Sequence, residues 1–191
     1  MRRAIVFSAL LLIACSAVAQ QGGAAAHYFA NLSLVDQDGR RVDFYNDLMK
    51  GKTVIINSFF ASCTGSCPVM GKTFQLIQNR LGDAVGRDVN LISITVDPAT
   101  DTPAKLKAYA KTMEARPGWY FLTGTPDEVG AVLKKLGQYV DSRETHVNIF
   151  LVGNDRTGLW KKVFGLAKPA DIYASVESVV NDTGAAPGGS R

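Results

Sequence analysis

Two cysteines, Cys63 and Cys67, have the residue type and spacing that a reactive site needs. Three residues separate them in the stretch SFFASCTGSCPVM, and a proline follows the second cysteine. Redox enzymes of the thioredoxin type usually place only two residues between their cysteines. The additional residue widens the gap, which suits two thiolates that converge on a metal ion as well as two that form a disulfide. A purely stabilising disulfide is disfavoured, because closing so short a loop removes little entropy from the unfolded chain.

A buried strand and a helix must position these cysteines. Residues 53–56 are apolar or β-branched without alternation, which is typical of a strand buried on both faces of a mostly parallel sheet. Pro68 fits the first turn of a helix, and apolar residues then recur at helical spacing: Met70, Phe74, Ile77 and Leu81. The cysteines are therefore expected in a strand-to-helix turn. Because backbone N–H groups at a helix N-terminus carry partial positive charge, we expect the thiols to be shifted toward the thiolate.

The rest of the chain alternates strands and helices after an N-terminal β-hairpin. The hairpin is predicted over residues 32–44, where two short extended runs flank Asp38-Gly39. Further strands are predicted over residues 90–96, 119–122, 147–152 and 159–163, and helices after Pro103, after Pro126 and over residues 169–180. This order predicts an α/β protein with a thioredoxin-like fold, in which helices flank a mixed central sheet. Such sheets bind ligands at the C-terminal end of a central strand, where the cysteine turn is predicted.

His146 is the residue predicted to face the cysteines. It directly precedes the strand predicted over residues 147–152, at the place where thioredoxin-like redox enzymes have a cis-proline opposite their cysteines. Two thiolates and one imidazole form a soft ligand set that suits Cu(I) and can hold Cu(II), with zinc as the main competing metal. The other histidine, His27, lies in a segment rich in Gly, Ala and Gln and is interpreted as solvated. The predicted metal ligands are therefore Cys63, Cys67 and His146.

The two ends of the chain differ in composition from the middle. Residues 1–19 combine Arg2 and Arg3 with an apolar run too short to span a membrane, which indicates a signal peptide. The segment is compatible with cleavage after Ala19 and with lipidation at Cys15. Both interpretations predict export to the periplasm, and the second also predicts a lipid anchor in the membrane. Residues 20–31 are interpreted as a tether, residues 32–181 as one domain, and residues 182–191 as a disordered tail.

Cysteine count and charge narrow the classes of function. Three cysteines are an odd number for an exported chain, but Cys15 is either removed or acylated, which leaves Cys63 and Cys67 as a pair. Such a pair works in an oxidising compartment. Removing residues 1–19 lowers the net charge from +4 to +2, and the sequence has no cluster of basic residues with interleaved aromatic residues. A nucleic-acid partner is therefore not expected.

Four features of the sequence together resemble the Sco/SenC proteins. They are the cysteine loop CTGSCP at residues 63–68, SITVDPATDTP at residues 93–103, GWYFLTG at residues 118–124, and His146 before a strand. The resemblance covers residues 32–167 and implies copper bound by Cys63, Cys67 and His146. Most members have a proline and an acidic residue inside the cysteine loop, whereas this loop reads Thr-Gly-Ser. Thr145 stands where an aspartate commonly precedes the ligand histidine.

The resemblance also implies a function and a set of partners. Proteins of this family are membrane-associated copper chaperones that help to metallate the binuclear copper centre of cytochrome c oxidase. They deliver copper or keep the cysteines of the target reduced. The implied partners are the oxidase subunit that carries this centre or another cuproprotein, together with other copper chaperones and thioredoxin-like reductants. The membrane surface joins this list if Cys15 is lipidated.

Two other functions would use the same residues. In a metal-independent thiol–disulfide oxidoreductase, Cys63 attacks a disulfide and Cys67 resolves the mixed disulfide. The wide cysteine spacing and the histidine in place of a cis-proline count against this class. A peroxidase of the peroxiredoxin type is disfavoured because Phe60 stands where its motif has a proline. We therefore predict an exported copper metallochaperone with thiol redox capacity, and the sequence leaves open whether it is also an enzyme.

Overall fold

The structure is a computed structural model that describes residues 23–185. The predicted signal segment with Cys15, the start of the predicted tether and the last six residues of the predicted tail lie outside the described residues. In the described part, no helix is both long enough and apolar enough to cross a membrane. The strands are β1 (Ser33–Val35), β2 (Arg41–Asp43), β3 (Thr53–Phe59), β4 (Val89–Thr95), β5 (Trp119–Leu122), β6 (Ile149–Asn154) and β7 (Trp160–Phe164). The helices are α1 (Gly23–Tyr28), α2 (Cys67–Leu81), α3 (Pro103–Thr112), α4 (Pro126–Leu136) and α5 (Pro169–Val180).

A five-stranded mixed sheet forms the centre of the molecule. Its strand order is β5-β4-β3-β6-β7, in which β3 pairs in parallel with β4 and antiparallel with β6. Every residue of β3 is buried, as the run of apolar residues predicts for a central strand. Strands β1 and β2 form a separate antiparallel hairpin that meets the end of β5 through a bridge between Val35 and Thr123. The predicted α/β, thioredoxin-like fold with an N-terminal hairpin is confirmed.

Two apolar clusters, one on each face of the sheet, fix β3. Ile55 and Phe59 belong to the cluster that α2, α3 and α5 cover. Val54 and Ile56 belong to the cluster beneath α4 and the hairpin. Because successive side chains of a strand point to opposite faces, a strand of apolar residues can join both clusters at once. The C-terminal end of β3, where the cysteine turn begins, is thereby held in place.

Helix α1 lies within the segment that composition suggests is a tether. Ala25 and Ala26 pack against the cluster beneath α4, and Phe29 is buried with its ring centroid 5.5 Å from that of Phe44. Tyr28 donates a hydrogen bond from its hydroxyl to the backbone carbonyl of Lys135, at 2.9 Å. Alanine favours helix, and burial of one aromatic side chain anchors a short helix that would be marginal alone. Residues 23–29 therefore belong to the folded domain.

Candidate metal centre

The cysteine turn connects the C-terminal end of β3 to the start of α2. Cys67 is the first residue of α2 and is buried in the core, and Pro68 lies in the first helical turn. Cys63 lies in the preceding loop, is partly buried, and donates a backbone hydrogen bond to the carbonyl of Phe60, at 3.1 Å. Both cysteines are free thiols. The two sulfur atoms therefore have different access to solvent.

A buried carboxylate holds the start of the cysteine loop. The Oδ2 atom of Asp101 accepts hydrogen bonds from the backbone N–H of Ala61, at 2.9 Å, and from the hydroxyl of Thr95, at 2.6 Å. Thr95 ends β4, so Asp101 ties the loop to the neighbouring strand. Asp101 is not among the predicted site residues, and in the sequence it simply precedes the Thr-Pro pair that begins a helix. The feature of the sequence that could have indicated this contact is the position of Asp101 shortly after a strand that neighbours the cysteine turn.

His146 reaches the cysteines from the segment that precedes β6. It follows a 3-10 turn at Arg143–Thr145, and its Nε2 lies 3.2 Å from the Sγ of Cys67. Its Nδ1 lies 3.0 Å from the backbone carbonyl oxygen of Arg143. Because a carbonyl oxygen only accepts, this hydrogen bond requires the proton on Nδ1 and leaves the lone pair of Nε2 facing the thiol. This is the tautomer that a histidine binding metal through Nε2 needs.

The three predicted ligand residues lie together in space. The sulfur atoms of Cys63 and Cys67 and a ring nitrogen of His146 all lie within 4.8 Å of one another. His27, in contrast, is exposed on α1 and is not part of this group. Two sulfurs and one imidazole nitrogen form a soft donor set that fits Cu(I), while zinc usually takes a fourth ligand. The arrangement of these side chains therefore fits a soft metal ion.

The prediction that the thiols are shifted toward the thiolate is wrong for Cys67. The pKa of the Cys67 thiol is raised to about 12, chiefly because burial disfavours the charged thiolate and secondly through its hydrogen bond with the Cys63 side chain. The pKa of Tyr109 beside the site is likewise raised to about 12, first by burial and then by the negative charge that Cys67 carries once it ionises at high pH. For the pKa of Cys67, the loss of hydration therefore has a larger effect than the partial positive charge at the N-terminus of α2. Cys67 is therefore a neutral thiol in the metal-free protein at neutral pH.

Comparison with known sequences identifies related proteins. The chain matches the family described as SCO1/SenC over residues 20–181. A Stutzerimonas stutzeri protein named for copper binding is 32% identical over 133 residues, which cover 65% of this chain and 63% of that protein. The mitochondrial protein SCO1 homolog 1 of Arabidopsis thaliana is 31% identical over 120 residues, which cover 63% of this chain and 35% of that protein. The chain therefore spans less than two thirds of the length of these relatives.

Solved structures with similar folds include three Sco proteins. A SCO1/SenC family lipoprotein from Bacillus anthracis has a TM-score of 0.66 and 26% identity, covering 77% of this chain and 91% of that chain. Arabidopsis thaliana ScoI with copper bound has a TM-score of 0.64 and 26% identity, with coverages of 76% and 92%. BsSco, described as a cytochrome c oxidase assembly protein with a disulfide switch, has a TM-score of 0.64 and 28% identity, with coverages of 78% and 90%.

Proposed function

This chain belongs to the SCO1/SenC family, and we propose that it is a copper metallochaperone whose cargo is bound by Cys63, Cys67 and His146. The observation that carries the proposal is the convergence of two sulfurs and one imidazole nitrogen within 4.8 Å. A similar structure, ScoI of Arabidopsis thaliana, has copper bound, and the Stutzerimonas stutzeri relative is named for copper binding. Thiolate ligands favour Cu(I) over the harder divalent ions, which supports copper as the cargo.

The site is suited to releasing its cargo by ligand exchange. Three protein ligands leave room for an incoming thiol of the partner to bind the copper before any of them departs. Cys63 is more accessible than Cys67, so it is the ligand that a partner thiol displaces first. His146 lies on a segment between α4 and β6 rather than within a helix or strand, and it can leave without disturbing the core. Transfer then proceeds in steps, and the buried Cys67 is the last ligand to leave.

We infer that the target is an exported copper protein, with the binuclear copper centre of cytochrome c oxidase as the first candidate. BsSco, which is similar in fold, is described as a cytochrome c oxidase assembly protein. Export is supported by the Bacillus anthracis structure, which is that of a lipoprotein. In this interpretation the domain works at the periplasmic membrane surface, attached through Cys15 if that residue is lipidated.

Thiol–disulfide exchange is the second candidate function, and the unequal burial of the two cysteines favours it. The accessible Cys63 thiolate attacks a disulfide of the partner and releases one of its sulfurs as a thiol. Cys67 then loses its proton and attacks the mixed disulfide. The partner leaves with two thiols, and the two electrons that it gained come from the oxidation of Cys63 and Cys67 to a disulfide. The described disulfide switch of BsSco supports this second candidate.

A copper titration of the reduced protein from residue 20 onward tests the proposal. We expect one equivalent of tightly held Cu(I), and one equivalent of Cu(II) with a thiolate-to-copper charge-transfer band in the absorption spectrum. Binding no tighter than that of a small dithiol would contradict the metallochaperone and would leave thiol–disulfide exchange as the function. The reduction potential of the cysteine pair would then be the next quantity to measure.

Replacing His146 by alanine is expected to weaken Cu(II) binding by more than about 100-fold and Cu(I) binding by about tenfold or less. The reason is that two thiolates alone can hold Cu(I), whereas Cu(II) requires the harder imidazole nitrogen. Absorption and electron paramagnetic resonance spectra of the Cu(II) form measure the first effect, and competition with a Cu(I) chelator measures the second. His27→Ala is the matched control, because His27 is exposed on α1. An unchanged Cu(II) spectrum in His146→Ala would remove His146 from the ligand set.

Cu(I) affinity is expected to increase with pH. The pKa of Cys67 is raised to about 12, so this thiol is protonated below that value and must release its proton when copper binds. Because at least this one proton is released, the apparent affinity should rise by at least about tenfold for each pH unit. Competition titrations between about pH 6 and about pH 8 measure the slope, and calorimetry in buffers of different ionisation enthalpy counts the protons. A slope of zero would mean that Cys67 is already a thiolate in the metal-free protein.

A further inference from the structure

Few hydrogen bonds, ion pairs and ring contacts join the segment that carries His146 to the rest of the described domain. Within residues 23–185, the backbone hydrogen bonds of the 3-10 turn stay inside the turn, from Thr145 to Ser142 and from His146 to Arg143. The hydrogen bonds, ion pairs and ring contacts that join side chains of residues 139–147 to other described residues are made by Tyr139, which lies under Lys134, and by Arg143 and His146. A segment with so few contacts has low local stability. Any single contact can then have a large influence on where His146 lies.

Arg143 joins this turn to the residue after β4 and to the start of the cysteine loop. Its guanidinium forms an ion pair with the carboxylate of Asp97, which follows β4 and whose side chain is only 13% exposed. The same guanidinium lies over the ring of Phe60, 5.4 Å from the centroid, at the start of the cysteine loop. The Phe60 ring in turn meets the His146 ring edge to face, with centroids 5.5 Å apart. Arg143 thus links the β4 end, the cysteine loop and the histidine.

We propose that the ion pair between Arg143 and Asp97 is a latch that positions His146 over the two thiols. While the pair is closed, the 3-10 turn is held, and the Arg143 carbonyl keeps the imidazole oriented through Nδ1. When the pair opens, the turn moves away with His146 and the two cysteines remain on α2 and its preceding loop. Arg143 and Asp97 are positioning residues in this arrangement, since the ion pair itself reaches neither sulfur.

Opening of the latch is expected to change which oxidation state of copper the site prefers, an inference that rests on the proposed function. With His146 in place the site offers two sulfurs and a nitrogen, which can hold Cu(II). With His146 displaced it offers two sulfurs, which favour Cu(I). Opening of the latch therefore shifts the preference of the site from Cu(II) toward Cu(I). A partner surface that competes for the Arg143 guanidinium would release one of the three ligands without touching the copper.

Hydrogen exchange of the metal-free protein tests the latch directly. We expect Arg143→Gln and Asp97→Asn each to speed amide exchange in residues 143–147 by roughly fivefold, because a partly exposed ion pair contributes about this much to local stability. The double variant should exchange no faster than Arg143→Gln alone, since Asp97→Asn has no ion pair left to break once Arg143 is replaced. Arg87→Gln is the matched control, because Arg87 pairs with its neighbour Asp88 on the surface. Equal exchange rates in wild type and Arg143→Gln, or additive effects in the double variant, would overturn the proposal.

Copper binding by the same variants separates the latch from the proposed function. We expect Cu(II) affinity to fall at least about threefold more than Cu(I) affinity in Arg143→Gln and Asp97→Asn, and Arg143→Lys to restore only part of the loss because lysine lacks the planar group. Equal losses for the two oxidation states would contradict the effect of the latch on metal selection. If the wild type itself binds no copper, the metallochaperone function fails, and the hydrogen-exchange result still decides whether the latch exists.

Discussion

The Cys67→Ser variant is expected to lose tight Cu(I) binding, with an affinity at least about 1,000-fold below that of the wild type. A serine hydroxyl does not ionise near neutral pH and is a hard oxygen ligand, so only Cys63 and His146 remain as donors. Cys67 is also the ligand that contacts His146 directly, at 3.2 Å between Sγ and Nε2. Competition with a chromogenic Cu(I) chelator under reducing conditions measures the loss.

Controls for this experiment separate ligand loss from unfolding. Cys67 is buried, and a serine there places a hydroxyl in an apolar environment, so Cys67→Ala provides a second variant without a polar group. Cys63→Ser removes the other sulfur at a more exposed position and should cause a loss of similar size. Ser62→Ala changes an exposed residue of the same loop and should bind as the wild type does. Stoichiometric, tight Cu(I) binding by folded Cys67→Ser would contradict the proposed site.

The position of the cysteine turn could be predicted from the sequence because it depends on local patterns. A continuous run of β-branched residues indicates a central strand, and Pro68 with an apolar repeat indicates the following helix. These two elements alone place the cysteines at the C-terminal edge of the sheet. The place of His146 near the cysteines could be predicted as well, because it precedes a strand at the position where thioredoxin-like redox enzymes have a cis-proline opposite their cysteines. In the structure that strand, β6, begins three residues after His146.

The properties of the site that escaped prediction depend on contacts between distant parts of the chain. The pKa of Cys67 could not be inferred from its place at a helix N-terminus, because the opposing effect of burial depends on how α2 packs against the sheet. The pairing of Arg143 with Asp97 joins residues that are 46 positions apart in the sequence. In the sequence Asp101 has the pattern of a turn residue. Only the structure shows that its carboxylate accepts hydrogen bonds from both β4 and the cysteine loop.

Gly118 illustrates a stability determinant that the sequence marks only as a turn. Its φ is +96°, and a Cβ atom added there would lie 2.2 Å from the backbone nitrogen and 2.4 Å from the Cα of Gly86. The Gly118 carbonyl also accepts a hydrogen bond from the backbone N–H of Leu91 in β4, at 2.8 Å. The two glycine backbones therefore pack together at the N-terminal edge of the sheet, opposite the edge that carries the cysteines.

We expect Gly118→Ala to lower the free energy of unfolding by at least about 3 kcal/mol. The left-handed backbone conformation alone costs about 1–2 kcal/mol for alanine, and the overlap with Gly86 adds more, because a backbone cannot rotate away as a side chain can. For a domain of this size the melting temperature should fall by about 10 °C. Urea unfolding followed by circular dichroism measures the change.

Gly39→Ala is the matched control for Gly118→Ala. Gly39 also has a positive φ, +79°, but a Cβ atom added there would meet no other atom within 4 Å. Its expected loss is therefore only the backbone cost, about 1–2 kcal/mol. Because Gly118 lies at the edge of the sheet opposite the metal centre, the folded fraction of Gly118→Ala should still bind one equivalent of Cu(I). Equal losses of stability in the two variants would show that the close approach of Gly118 to Gly86 does not contribute, since strain from positive φ is common to both.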